Sequence, residues 1–160
     1  MLEKIKLTKN TPVEEVLKFT YPCNCKACNN GCRYGSGFLV EEDVSRIAKF
    51  LGITEEVLKK EFLEEVEKFN TKLFRPKILR KEKPYGKCIF FDEKIGCKIH
   101  ESKPLECKIA MGCKYYGEQL TLWFMLNHFV NGNNPESVRQ FATYLKSGGK
   151  TLEDADLKDL

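Results

Sequence analysis

The sequence contains no long apolar run. No stretch of eighteen apolar residues occurs among its 160 residues, which excludes an ordinary transmembrane helix and predicts no membrane partner. Residues 1–6 mix acidic and basic side chains where a signal peptide carries an apolar stretch. We therefore expect a soluble, cytoplasmic protein. With 42% apolar residues, the chain is able to bury the core of a single domain over residues 1–160.

Signatures of common enzyme classes are also missing. The sequence has only two histidines, His100 and His128, and contains no P-loop, no dinucleotide fingerprint and no Ser-His-Asp set. No local signature of a Cys-His protease surrounds any cysteine. The sequence therefore assigns no catalytic residue, and it leaves open whether the protein is an enzyme.

What the sequence does contain is eight cysteines in two groups. The first group falls within ten residues and consists of Cys23, Cys25, Cys28 and Cys32. Residues 33–87 contain no cysteine, and the second group follows them with Cys88, Cys97, Cys107 and Cys113. Thiols stay free in a reducing cytosol, so a dense set of cysteines there indicates metal or redox chemistry. We predict that all eight are metal ligands and that the two groups meet in space.

Disulfides are the alternative reading of the same cysteines. The composition is rich in Lys, Glu and Ile and contains only two glutamines, Gln119 and Gln140, which is typical of hyperthermophile proteins. Intracellular proteins of hyperthermophiles can carry disulfides, so a fully disulfide-bonded chain stays open on composition alone.

The spacing of the cysteines bears on the identity of the metal. Zinc usually takes four ligands offered as two C-x2-C pairs, and only Cys25 and Cys28 have that spacing. The later cysteines are separated by eight, nine and five residues, which is irregular for a zinc ribbon. Iron–sulfur clusters tolerate wider spacing because their inorganic core spreads the ligand sites apart. The spacing favours an iron–sulfur cluster, most simply 4Fe–4S, with zinc as the alternative.

Hydrophobic periodicity predicts an α+β, mainly helical fold with a small β-hairpin and cysteine-rich metal-binding loops packed on several helices. Loops are expected at residues 23–32 and 71–87, the second with a short strand at 77–79. The predicted helices cover about 12–19, 41–51, 54–69, 118–131, 134–146 and 151–160, and the predicted hairpin pairs 88–91 with 95–99.

Two segments indicate partners. Residues 120–130 are apolar almost all round, and a helix of that kind is either buried centrally or covered by a protein partner. The window 71–87 carries seven Lys or Arg against one Glu, and its Phe74 and Tyr85 could stack nucleic-acid bases, although no RNA-binding signature accompanies them. His100 follows Cys97 by three residues and is either a ligand or a packing residue.

Several of these elements together resemble a known family. They are Cys25-x2-Cys28 with Cys32, the segment 37–52, Cys88-Ile89-Phe90, the segment 97–100, and Lys103-Pro104-Leu105-Glu106-Cys107-Lys108. The chain resembles the YkgJ-type cysteine-cluster (CxxCxxCC) family, a zinc- or iron-chelating domain related to the domain in flagellin lysine N-methylases. The resemblance implies a cysteine-cluster core at about 20–115 and a helical C-terminal part at about 118–160. No methyl-donor site is recognisable, so methyl transfer is not implied for this chain.

The chain departs from the family pattern at one thiol. The adjacent cysteine pair of the motif is here Gly31-Cys32, and Cys23 is an additional thiol upstream. We expect Cys23 to replace the missing ligand. We also expect the segment 23–32 to complete its site with Cys88, Cys97 and Cys107.

Overall fold

The chain is an assembly of short helices and hairpins. The computed structural model describes residues 5–20, 23, 25–110 and 113–160. Within them lie seven α-helices: α1 Val13–Leu17, α2 Lys26–Tyr34, α3 Glu41–Leu51, α4 Glu55–Glu61, α5 Leu105–Ile109, α6 Gly117–His128 and α7 Pro135–Lys146. The strands are β1 Leu63–Lys68, β2 Thr71–Pro76, β3 Ile78–Leu79, β4 Lys87–Cys88, β5 Phe91–Asp92 and β6 Gly96–Cys97. The predicted α+β, mainly helical class is confirmed.

The strands form three separate antiparallel hairpins, β1–β2, β3–β4 and β5–β6. Ile78 lies opposite Cys88, and Phe91 lies opposite Cys97. The hairpin predicted between 88–91 and 95–99 therefore forms only at its turn end, through Phe91 and Cys97, while Cys88 pairs with a strand from the basic window 71–87. The same window was predicted to be mainly loop, yet its residues 71–76 form β2.

Local sequence signals set the bounds of α3 and α7. Three acidic residues occupy the first turn of α3, where the helix dipole favours negative charge, and Gly52 ends the helix at φ 69°. At α7, the side chain of Asn134 accepts hydrogen bonds from the N–H groups of Glu136 and Ser137. Both helices lie where the sequence predicts them.

The helix predicted over 54–69 ends early. Helix α4 stops at Glu61, and the next residues form β1, which turns into β2 through Phe69 and Asn70 at φ 50° and 57°. Two successive positive φ angles are typical of a tight hairpin turn. The ring of Phe69 packs against Phe141 and Tyr144 at centroid distances of 5.9 and 5.5 Å. Those tertiary contacts and the pairing with β2 outweigh the helical spacing of the apolar residues.

The first cysteine segment is helical, whereas a loop was predicted. The sulfur of Cys25 accepts a hydrogen bond from the N–H of Cys28 at 3.4 Å and caps α2. Asn29, Asn30 and Gly31 all lie inside this helix, and none of them has a positive φ. Asn24, which the predicted loop includes, lies outside the described residues.

Two hydrophobic clusters meet at α2. The first is built around α6 and α7 and includes Val16, Phe124 and Phe141, while the second joins α3 and α4 to the hairpins. Cys28 packs against the first cluster and Cys32, one turn later, against the second. Helix α2 therefore presents its thiols to both halves of the molecule.

The C-terminal segment is less helical than predicted. Instead of a helix over 151–160, a 3₁₀ turn covers Leu157–Asp159, and the carboxylate of Asp159 accepts the N–H of Asp156 at 2.9 Å. Leu152 and Ala155 are buried in the first cluster, which ties this segment to the core.

Candidate metal centre

Four thiols lie close enough to share one metal ion. The sulfurs of Cys23, Cys25, Cys28 and Cys113, the compact thiol set, all lie within 4.8 Å of one another. The Cys28 and Cys113 sulfurs are 3.4 Å apart, and those of Cys23 and Cys113 are 3.7 Å apart. Three thiols of the set therefore come from the first cysteine group and one from the second.

Hydrogen bonds and burial give the thiols of this set different acidities. The N–H of Cys28 lowers the pKa of Cys25 to about 7, with a further contribution from the neighbouring thiols. Burial, followed by the contact with Cys113, raises the pKa of Cys28 to about 12. Near neutral pH, a metal would meet one thiol that ionises readily and one from which it must displace a proton.

The remaining four thiols surround a cavity. Cys32, Cys88, Cys97 and Cys107, the wider thiol set, line a cavity of about 350 Å³, which Cys23 and Cys28 also line. Cys32 comes from α2, Cys88 and Cys97 from two different hairpins, and Cys107 from α5. This set takes one thiol from the first cysteine group and three from the second, the reverse of the compact thiol set.

The thiols of the wider set perturb one another electrostatically. Burial raises the pKa of Cys88 to about 12 and that of Cys107 well above its usual value, and charge on the neighbouring thiols raises both further. Burial also raises the pKa of Cys32 and of Cys97, and the Lys103 ammonium opposes the rise at both. Four thiolates gathered in this cavity need positive charge, which a metal centre supplies.

The two thiol sets differ in how close their sulfurs lie to one another. A tetrahedral zinc with Zn–S bonds of about 2.3 Å places its sulfurs about 3.8 Å apart. In the described part of the chain, the compact thiol set is the only group of three or more ligand atoms that all lie within 4.8 Å of one another. No three sulfurs of the wider thiol set lie that close to one another.

A family model now adds independent information. The model described as "CxxCxxCC: Putative zinc- or iron-chelating domain" matches residues 24–128, which are 105 of the 160 residues. The chain belongs to this family. No curated protein and no solved structure matches the chain significantly. The description of the CxxCxxCC family as zinc- or iron-chelating agrees with the close approach of four cysteines in this chain.

The structure divides the cysteines of the CxxCxxCC motif between the two thiol sets. The segment 23–32 was expected to meet Cys88, Cys97 and Cys107, and its Cys23, Cys28 and Cys32 line one cavity with those three thiols. Of the three, Cys32 packs against the second hydrophobic cluster, to which Cys88 and Cys97 also belong. Cys23 lies with Cys25 and Cys28, while Gly31, at the motif position that lacks its cysteine, is exposed. The structure joins none of the eight cysteines in a disulfide.

Two residues that support the wider thiol set were not singled out from the sequence. Gly37 lies against Cys107, whose sulfur and backbone nitrogen occupy the space that a Cβ at position 37 would need. Asp43 is buried and accepts the N–H of Leu105, the first residue of α5, at 2.9 Å. In the sequence, Gly37 is a glycine before an apolar segment and Asp43 is an acid in the first turn of a predicted helix. Both features are common in proteins without any metal site, so neither pointed to the thiols.

The histidines differ in their surroundings. His100 lines the cavity and is half-buried, and burial followed by the Lys103 charge lowers its pKa. His128 packs against the rings of Phe124 and Trp123 at centroid distances of 4.7 and 5.9 Å. Neither histidine belongs to the group of close ligand atoms found in the described residues.

None of the helices in the described ranges combines the length and the apolar character that crossing a membrane requires.

Proposed function

We propose that this CxxCxxCC protein is an iron–sulfur protein. Its cluster, most simply 4Fe–4S, is bound by Cys32, Cys88, Cys97 and Cys107 and serves redox chemistry, with cluster handling and a modification reaction as the other uses of such a centre. One observation carries the proposal: these four thiols come from four separate elements and line one cavity, and no three of their sulfurs all lie within 4.8 Å of one another. The family description, which names zinc and iron, supports it at the level of a metal-chelating domain.

The residues around the cavity suit a cluster in two ways. Cys88 and Phe90 are buried, which limits the access of water to that wall of the cavity. The Lys103 ammonium acts on both Cys32 and Cys97 and offsets the negative charge of the thiolates. When bound, a cluster supplies one-electron transfer, and its potential follows the burial and the nearby charge of the site.

The test is metal and sulfide analysis of protein purified without oxygen. We expect a brown protein that contains iron and acid-labile sulfide, and we expect Cys88→Ser and Cys107→Ser to lose both. Cys25→Ser, which changes the compact thiol set, is the matched control and should keep iron and sulfide. A colourless wild-type protein that holds zinc and no iron would overturn the proposal.

A zinc-binding structural or interaction module without catalytic activity is the second candidate function. The observation that favours it is the sulfur spacing of the compact thiol set, which suits one tetrahedral ion. The same metal analysis decides between the two candidates, because the module would hold zinc and no sulfide.

The remaining expectations about partners and location stay proposals. Helix α6 buries Trp123, Phe124 and Leu126 in the chain's own core. Leu122 and Met125 pack against that core but stay half-buried, so a protein partner would contact their exposed parts. In the basic window, Arg75 and Arg80 pair with Glu64, so less positive charge is left for a nucleic acid. A cytoplasmic location is proposed on the thiol chemistry.

A further inference from the structure

We infer that one exposed surface docks an acidic protein that exchanges single electrons with the centre in the cavity of the wider thiol set. This aromatic–basic surface consists of Tyr34, Leu79, Lys81, Lys83 and Tyr85. The inference rests on the proposed function, because it names the class of partner that an iron–sulfur centre would serve. It is carried by the place of the two tyrosines beside the cavity, by their exposure and by the charge of the loop next to them.

Two exposed tyrosines meet beside the cavity. Tyr34 ends α2 and lines the cavity, and its ring contacts that of Tyr85 at a centroid distance of 5.8 Å. The two residues are 56% and 45% exposed, although a tyrosine ring gains from burial. Tyr34 follows Cys32 by two residues, and Tyr85 precedes Cys88 by three. A protein that covers these rings would therefore lie next to two thiols of the wider set.

The loop between β3 and β4 presents this surface in a defined shape. The N–H of Lys83 donates to the carbonyl oxygen of Arg80 at 2.8 Å. A Cβ at Gly86 would overlap the carbonyl oxygen of Leu79, which shows how closely the two ends of the loop pack. Since β4 also carries Cys88, the loop and one thiol belong to the same hairpin. A surface that is already ordered loses little conformational freedom when a partner binds.

The loop is positively charged. Residues 77–87 carry five Lys or Arg against one Glu. Arg80 pairs with Glu64, whereas Lys81 and Lys83 are exposed and join no ion pair within the described ranges. The ammonium of Lys83 lies 5.6 Å from the centroid of the Tyr85 ring, which places a positive charge on the aromatic surface itself. Such a surface attracts a partner of negative charge.

These observations favour a protein over other occupants. A second copy of this chain, docked through the same surface, would bring like charges together. Single-stranded nucleic acid needs open ring faces for its bases, but the Tyr34 and Tyr85 rings meet edge to face at 62°. Exposed tyrosines beside positive charge are typical of protein interfaces, where tyrosine often contributes a large share of the binding energy.

The step that docking serves is the transfer of one electron. The cofactor of the partner is oxidised as the cluster is reduced, or the reverse, and no bond forms or breaks. Interfaces of electron-transfer proteins are small and weakly bound, which suits a surface of five side chains. We therefore expect binding that depends strongly on salt, because its charges are exposed.

The test measures binding of a flavodoxin, an acidic one-electron carrier, to the full-length protein prepared without oxygen. Binding should be tight at low ionic strength and should weaken as salt screens the charges. The double variant Lys81→Glu with Lys83→Glu should slow association by at least about 10-fold, since electrostatic steering raises association rates by about 10- to 1,000-fold. Tyr85→Ala should weaken binding by about 10-fold with its salt dependence unchanged.

A matched control separates the surface from the net charge. Lys146→Glu with Lys158→Glu alters two exposed lysines near the C-terminus and changes the net charge by the same amount. This variant should bind flavodoxin like wild type, and circular dichroism checks that each variant is folded. Equal losses in the two double variants would overturn the inference.

Two further probes test the kind of partner. Cytochrome c, a basic electron carrier, should not bind, and a single-stranded thymidine oligonucleotide should bind more weakly than flavodoxin. An oligonucleotide that binds more tightly, or a wild type that binds flavodoxin no better than cytochrome c, would overturn the inference. If iron and sulfide are present without flavodoxin binding, only this inference fails. A protein with zinc and no iron would defeat the cluster proposal and the electron exchange, while lysine-dependent flavodoxin binding would leave the docking surface standing.

Discussion

The buried carboxylate of Asp43 accepts the backbone N–H of Leu105, 62 residues further along the chain, at 2.9 Å. The same oxygen accepts the N–H of Val40 at 2.9 Å, and the other oxygen pairs with Arg46 at 2.7 Å. Arg46 in turn donates to the carbonyl oxygens of Ser102 and Lys103 at 3.3 and 2.8 Å. Since Leu105 begins the helix that carries Cys107, a side chain of α3 holds one thiol of the wider set in place.

Replacing this carboxylate should damage both stability and metal binding. In Asp43→Asn, an amide nitrogen would face either backbone N–H groups or the Arg46 guanidinium, all of which are donors. We expect the free energy of unfolding to fall by about 3 kcal/mol, because one partner of a buried, hydrogen-bonded pair is neutralised. Urea denaturation measures the loss, and iron analysis should show lower occupancy. Glu41→Gln, an exposed acid in the same first turn, should change stability by less than about 0.5 kcal/mol.

Gly37→Ala should displace Cys107. A Cβ at position 37 would meet the sulfur of Cys107 and lie 2.9 Å from its backbone nitrogen, so α5 or the segment before α3 must shift. We expect a loss of about 1–3 kcal/mol from overpacking and a fall in iron content. Gly35→Ala is the matched control, because its Cβ meets no atom within 4 Å and its backbone is extended. Equal iron content in the two variants would show that Cys107 tolerates the displacement.

His100→Phe should retain the metal of the wider thiol set. The imidazole lines the cavity, but four thiols are already present there and the phenylalanine ring fills a similar volume. Iron and sulfide content should match wild type within error, whereas Cys97→Ser, three residues earlier, should lose both. Loss of iron in His100→Phe alone would mean that the imidazole is a ligand.

His128 should make stability depend on pH in the mildly acidic range. Burial lowers its pKa in the folded protein, with the Glu42 and Asp43 charges opposing that effect, so the unfolded chain takes up the proton first. The stability is fully present above the unfolded value of about 6.5 and falls as pH drops from there toward the lower folded pKa. Thermal unfolding of wild type and His128→Phe at equal metal loading should show a smaller loss between neutral pH and pH of about 5.5 in the variant. Parallel losses would mean that His128 contributes nothing to this dependence.

The sequence by itself determined the elements whose signals are local. An asparagine and a proline begin α7, and a glycine with a left-handed backbone ends α3, because caps depend only on residues within a turn of the helix end. The cysteines likewise pointed to metal chemistry and to the family, since thiol density and spacing are properties of the chain alone. The α+β, mainly helical class followed from the same kind of signal.

Only the tertiary structure decided how the thiols divide. Cys28 and Cys32 are neighbours on one helix, yet they belong to different sets because they face different hydrophobic clusters, and those clusters form from residues far apart in sequence. In the same way, β1 is a strand because β2 pairs with it and because Phe69 packs on α7. The spacing of apolar residues within residues 54–69 does not reveal either contact. Whether Cys113 meets Cys23 or Cys32 depends on long-range packing, and long-range packing sorts eight equivalent thiols into one compact set and one wider set.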